Sequence, residues 1–143
     1  MNDDTLRLVV GGILLVHGIA HVGPIGAQLW IRSGHVTPAG SWSAARSWAA
    51  PGLSADAAGT VAGAFWVVSL VGFVLTALAF WGIGLPVDAW GPLGAGSALV
   101  STAGIVLFAG TWPAFNTVAA LGVNVGVIVA VLIGWPPASV VGA

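Results

Sequence analysis

The sequence predicts an all-α membrane protein: a four-transmembrane-helix bundle with a short interfacial helix in its first loop. Three observations carry that expectation. Hydrophobic residues make up 58% of the 143 residues and charged ones only 5%, where soluble domains are about a quarter charged. Mean hydropathy is +1.05. Four apolar runs approach the length of about 20 residues that crosses roughly 30 Å of hydrocarbon. They cover residues 6–31, 60–81, 93–112 and 115–135 of a single membrane domain, 1–143.

Taken in order, the first run follows MNDDTLRLVV, which lacks the basic leader of a cleaved signal, so it reads as a retained helix. Pro24 has no N–H to give the carbonyl of Ala20, which predicts a bend beside His21. The one long connection, residues 32–59, is too apolar for a linker. Within it SWSAARSW reads as an amphipathic helix lying in the interface, capped by Ser41 and stopped by Pro51. Ser54 is placed to cap the second span, with Asp56 at its positive end. GIGLPVDAWGP and Trp112-Pro113 are turns, and the second is so short that the last two spans must be antiparallel neighbours.

Trp30, Trp81, Trp90, Trp112 and Trp135 fall near span ends, where an aromatic belt belongs. An even number of spans leaves both termini on one side. Arg32 and Arg46 in the long loop outnumber Arg7 across the membrane, so the positive-inside rule assigns that loop to the cytoplasm. Arg in place of Lys, with abundant Ala, Gly and Val, suggests a GC-rich bacterial genome, hence a bacterial plasma membrane.

Composition also excludes. A net charge of -1 with three arginines forms no basic patch for nucleic acid. The absence of cysteine removes disulfides, iron–sulfur ligation and thiolate chemistry. No carboxylate lies within a span, which argues against a proton-coupled exporter. No internal repeat supports an inverted-repeat transporter, and no ring of charge supports a channel.

The unusual stretch is HGIAH, residues 17–21, in the middle of the first span. At about 100° per residue, His17, His21, Pro24 and Gln28 share one face, while Ile13, Val16 and Ile19 take the other. Polar side chains in hydrocarbon normally face the bundle interior, so the histidine face points inward. Trp66, Ser69, Phe73, Thr76 and Phe80 recur at helical spacing in the second span, as do Gly94, Ser97, Ser101, Gly104 and Phe108 in the third. Thr117, Leu121, Asn124 and Ile128 do so in the fourth. Asn124 lies at about the depth of the histidines and both donates and accepts.

Neutral imidazole is the cheapest ionisable group to bury, and it keeps one donor and one acceptor. Two rings at i and i+4 can address one ligand, as in H-E-x-x-H metalloproteases. Here the general-base Glu is missing, and a metal held by His17 and His21 needs a third ligand. Bis-histidine haem needs rings on two helices, hence a homo-oligomer. A quinone or isoprenoid-type ligand fits better: it partitions into the bilayer, bonds one polar group and stacks on aromatics. The candidate ligand-binding set is His17, His21, Gln28, Trp66, Ser101 and Asn124. The alternatives are an enzyme using the pair as acid–base or metal ligands on a lipid-like substrate, and a structural or accessory subunit. In the latter the histidines bond Asn124, Ser97, Ser101 or a carbonyl simply to fix helix register. Four short, Gly-rich spans enclose little volume, so a homo-oligomer or a larger membrane complex is expected around them.

The opening RLVVGGILLVHGIAHVG, with three further spans in a chain of this length, resembles the small bacterial four-helix membrane proteins of the DoxX-like type. The resemblance covers residues 7–23 and the overall layout; the long Trp-containing loop departs from it. It implies an association with membrane redox metabolism, as a small subunit or quinone-linked partner, and carries over only Arg7 and His17 or His21.

Overall fold

The computed structural model describes residues 2–136 and 138–141, and among them every regular element is helical. Helices α1 (Asp3–Ala20) and α2 (Val22–Arg32) are the two halves of one span, broken at His21. Then come α3 (Ala55–Trp81), α4 (Trp90–Leu107) and α5 (Ala114–Leu132), and a single turn, α6 (Ala138–Val141), ends the described chain. Four segments, Asp3–Arg32, Ala55–Trp81, Val87–Leu107 and Ala114–Leu132, are long and apolar enough to cross a membrane. That is the make-up of a multi-pass membrane protein.

The ends of these elements follow from local chemistry. The Asn2 side chain accepts from Thr5 N, and the Ser54 side chain accepts from Ala57 N, so α1 and α3 each start on a side-chain cap. This cap starts the second span at Ala55, five residues before the expected position. Gly82, at φ 70°, ends α3 in the left-handed conformation that glycine adopts without strain. The third span begins earlier than expected, through a 3-10 turn at Val87–Ala89, and stops at Leu107 instead of 112. Phe108 leaves helical geometry there, and the chain turns through Gly110 at φ 84°. The fourth span likewise ends early, at Leu132, before Gly134 at φ 66°.

The interfacial helix expected over SWSAARSW is not formed. Residues 42–47 carry no regular structure. Their backbone groups are claimed by tertiary partners instead: Gln28 Nε2 donates to Ser43 O at 2.7 Å, and Ala45 N donates to Gln28 Oε1 at 2.9 Å. Ser43 N donates to Thr111 O at 3.0 Å. A lone helix of this length is marginal, because its nucleus costs more than its few internal bonds return. The carboxamide of Gln28 supplies the same hydrogen bonds without that nucleus.

In the bundle α1 and α2 pack on α3, α3 on α4, and α4 on α5. α1 and α5 make little backbone contact with each other, and at one end α6 packs on α1, with Val140 and Val141 buried beside Leu14 and Val127. Leu14, Phe73, Phe80 and Val127 fill one half of the core, while Trp66, Ile105, Phe108 and Ala120 fill the other. Trp112 belongs to this second half and is 7% exposed, so it is a core residue and not part of an aromatic belt. Gly18 lets the α1 backbone lie close to that of α3: a Cβ there would stand 3.0 Å from Phe73 Cβ and 3.2 Å from Val74 N. The glycine between the two histidines is what lets them reach the middle of the bundle.

At the other end Arg7 Nη2 donates to Trp81 O at 2.6 Å, and Trp81 Nε1 donates to Arg7 O at 3.1 Å. A cation at a helix C-terminus satisfies exposed carbonyls and the helix dipole. Arg7 therefore ties α1 to α3 and takes no part in the histidine cluster.

Candidate functional site

The break at His21 builds the site. Its backbone N–H bonds Gly18 O at 3.1 Å in 3-10 fashion, and Pro24, fully buried, offers no N–H to the carbonyl of Ala20. The His21 ring turns back, with Nδ1 2.9 Å from His17 O. Its Nε2 lies 3.0 Å from Ser101 Oγ on α4. Asn124 on α5 completes the cluster: Nδ2 is 2.9 Å from Ser101 Oγ and 3.1 Å from Thr102 Oγ1, and Oδ1 is 2.9 Å from His17 Nε2. His21, Ser101 and Asn124 are 0% exposed and His17 is 7%.

The positions of the protons follow by elimination. A carbonyl oxygen only accepts, so His21 carries its proton on Nδ1 and leaves Nε2 bare. Ser101 must then donate its single proton to Nε2. Its oxygen in turn accepts from Asn124 Nδ2, which orients the carboxamide with Oδ1 toward His17. His17 therefore donates from Nε2, and its Nδ1 is bare. The opposite Asn124 orientation would set the amide oxygen 2.9 Å from Ser101 Oγ with no proton left to bridge them. For two rings buried as neutral imidazoles, the result is a closed circuit running from the His17 ring through Asn124, Ser101 and His21 back to the His17 carbonyl.

One nitrogen stands outside the circuit. His17 Nδ1 has no partner among the described residues, yet it is not among the enclosed, unpartnered polar atoms, which are Trp66 Nε1, Thr111 Oγ1 and Trp112 Nε1. His17 and His21 border a hollow of about 200 Å³ between α1 and α5, with Val16, Ala20, Trp112, Asn116 and Val123 among its walls. A second hollow of about 280 Å³ meets it at Val123 and is lined by Val10, Ile13, Gly126 and Ala130. Together they run along the seam where α1 and α5 stand apart. Aromatic rings back the histidines: Phe73 meets His17 edge-on at 4.5 Å, and Trp112 meets His21 edge-on at 5.5 Å.

Of the residues expected at the site, His17, His21, Ser101 and Asn124 come together. Gln28 does not join them, because its carboxamide holds the loop backbone. Trp66 is fully buried beside Trp112, with ring centres 6.1 Å apart, one layer away from the cluster. Ser69, Thr76 and Ser97 return their hydroxyls to carbonyls four residues earlier, at 2.7, 2.7 and 2.6 Å, as packing residues do. On α5 the buried positions are Ala120, Asn124 and Val127, while Thr117, Leu121 and Ile128 are only half-buried.

Thr102 and Asn116 carried no signal in the sequence. Thr102 is adjacent to Ser101, and periodicity puts neighbours on different faces; the two protons of the Asn124 amide fork between them. Among the described residues no third His, Asp or Glu joins the pair to complete a metal site. His35 instead stacks on Trp30 at 3.8 Å and bonds Ser33, and Asp56 pairs with Arg32 at 3.4 Å. Both nitrogens of His21 are already engaged.

Fold and site together define the class: a helical membrane-type bundle of four spans with a buried histidine pair. No family model, curated protein or solved structure matches the chain.

Proposed function

We propose that the protein binds an apolar, prenyl-type lipid of the quinone or isoprenoid class in the seam between α1 and α5, with its head group at His17. The observation that carries this reading is the unpartnered Nδ1 of His17, on a residue that borders one hollow, next to a second, mostly apolar hollow that shares Val123 with it. A head group needs one hydrogen bond and a tail needs only grease. Each hollow alone is small, but together they fall within the range usual for ligand sites, about 300–1,000 Å³.

The metal form of an enzyme gains less support, since among the described residues no third His, Asp or Glu joins the pair. The test is photolabelling of the purified protein in lipid nanodiscs with a diazirine-bearing prenyl probe. Labelling should fall on residues 116–130 of α5 and compete with unlabelled prenyl lipid. Labelling spread evenly over all lipid-facing helices would defeat the proposal.

A second reading, a subunit within a larger assembly, is favoured by Gly122 and Gly126. A Cβ at either would meet nothing within 4 Å among the described residues, and small residues on an outer face admit another helix closely. Cross-linking in native membranes that yields only the monomer would dispose of it.

A further inference from the structure

We infer that the head group held at His17 is a hydroxyl donor, an alcohol or a hydroquinone, and that the site discriminates against the matching ether or quinone carbonyl. This rests on the binding site proposed above and concerns which chemistry that site accepts.

The argument starts from an atom remote from the ligand. The His17 carbonyl accepts the His21 ring proton, and that fact propagates through Ser101 and Asn124 to place a proton on His17 Nε2; a ring buried as neutral imidazole then has none on Nδ1. A bare imidazole nitrogen offers a lone pair and nothing else. Reversing it means moving the proton from Nε2 to Nδ1, which would set a bare Nε2 against Asn124 Oδ1 2.9 Å away. Rotating the amide to relieve that clash would set its oxygen 2.9 Å from Ser101 Oγ, whose single proton already goes to His21. The circuit therefore holds the tautomer in place.

Ala20, whose carbonyl has no amide proton to expect from Pro24, lines the same hollow. The indole N–H of Trp112 is enclosed, and the carboxamide of Asn116, also in the wall, both donates and accepts, so the discrimination is exerted at His17. A carbonyl or ether oxygen brought to His17 would oppose lone pair to lone pair. A hydroxyl would donate to it, and the prenyl chain would continue along Ile13 and Gly126.

The test uses the intact protein in nanodiscs and two matched pairs: farnesol with its methyl ether, and a short-chain prenylated hydroquinone with its quinone. Competition against the diazirine probe should show at least about tenfold tighter binding of the hydroxyl member, as expected when a desolvated acceptor otherwise faces an acceptor. The pair that binds more tightly overall identifies the source, alcohol or hydroquinone. In the same sample the His17 Nδ1 nitrogen resonance should show an unprotonated nitrogen before ligand and move upfield with the hydroxyl member alone. Equal affinity within both pairs, or a protonated Nδ1 without ligand, overturns this inference and leaves the binding site standing. Failure of all four compounds to compete overturns the binding site, and the inference with it.

Discussion

Ser101 is the residue on which the cluster turns, because it takes a proton from Asn124 and gives one to His21. Ser101→Ala should strand His21 Nε2, which is 0% exposed, and cost about 1–2 kcal/mol, near the upper end for hydrogen bonds between membrane helices. Reversible unfolding in mixed detergent measures it. Asn124→Leu should cost a similar amount, and the double variant should cost clearly less than their sum, since each alone already opens the circuit. Additive losses would show the bonds to be independent. The histidine pair and Asn124 were legible in the sequence because depth and helical phase are both countable along a span. The proton pattern was not, because it is set by the His17 backbone carbonyl, and only the broken helix presents that carbonyl to a ring.

At the scale of elements, two residues matter more than their chemistry suggests. Gly18→Val should cost about 1–3 kcal/mol through overpacking against the α3 backbone, read as a lower melting midpoint. Gly122→Val should leave stability within about 0.5 kcal/mol, because nothing lies near that position. Gln28→Leu should release the loop it anchors: proteolysis and amide exchange over residues 33–54 should rise while α3 and α4 stay protected. The four spans were readable from hydropathy alone. The loop was not, because SWSAARSW has helical periodicity in isolation, whereas its actual conformation depends on a carboxamide from α2 and a carbonyl at Thr111. The bonds of Gln28 to the loop were hidden for the same reason, since a buried amide on the histidine face looks identical whether it serves a ligand or a backbone.

For the whole molecule the consequence lies in the seam between α1 and α5. Gly126→Leu should fill the apolar part of the seam and weaken competition by prenyl lipids at least about tenfold, with unfolding unchanged within about 0.5 kcal/mol. Loss of stability alongside binding would mean that the seam is a packed joint and not a groove. Val16 on one lip and Ala119 on the other both face outward, toward the hydrocarbon. A guest would thus arrive sideways, by diffusion within the plane of the bilayer, and its effective concentration is its mole fraction among the surrounding lipids. Occupancy should then be indifferent to the volume of water around the vesicles and should halve only when the bilayer itself is diluted with plain phospholipid.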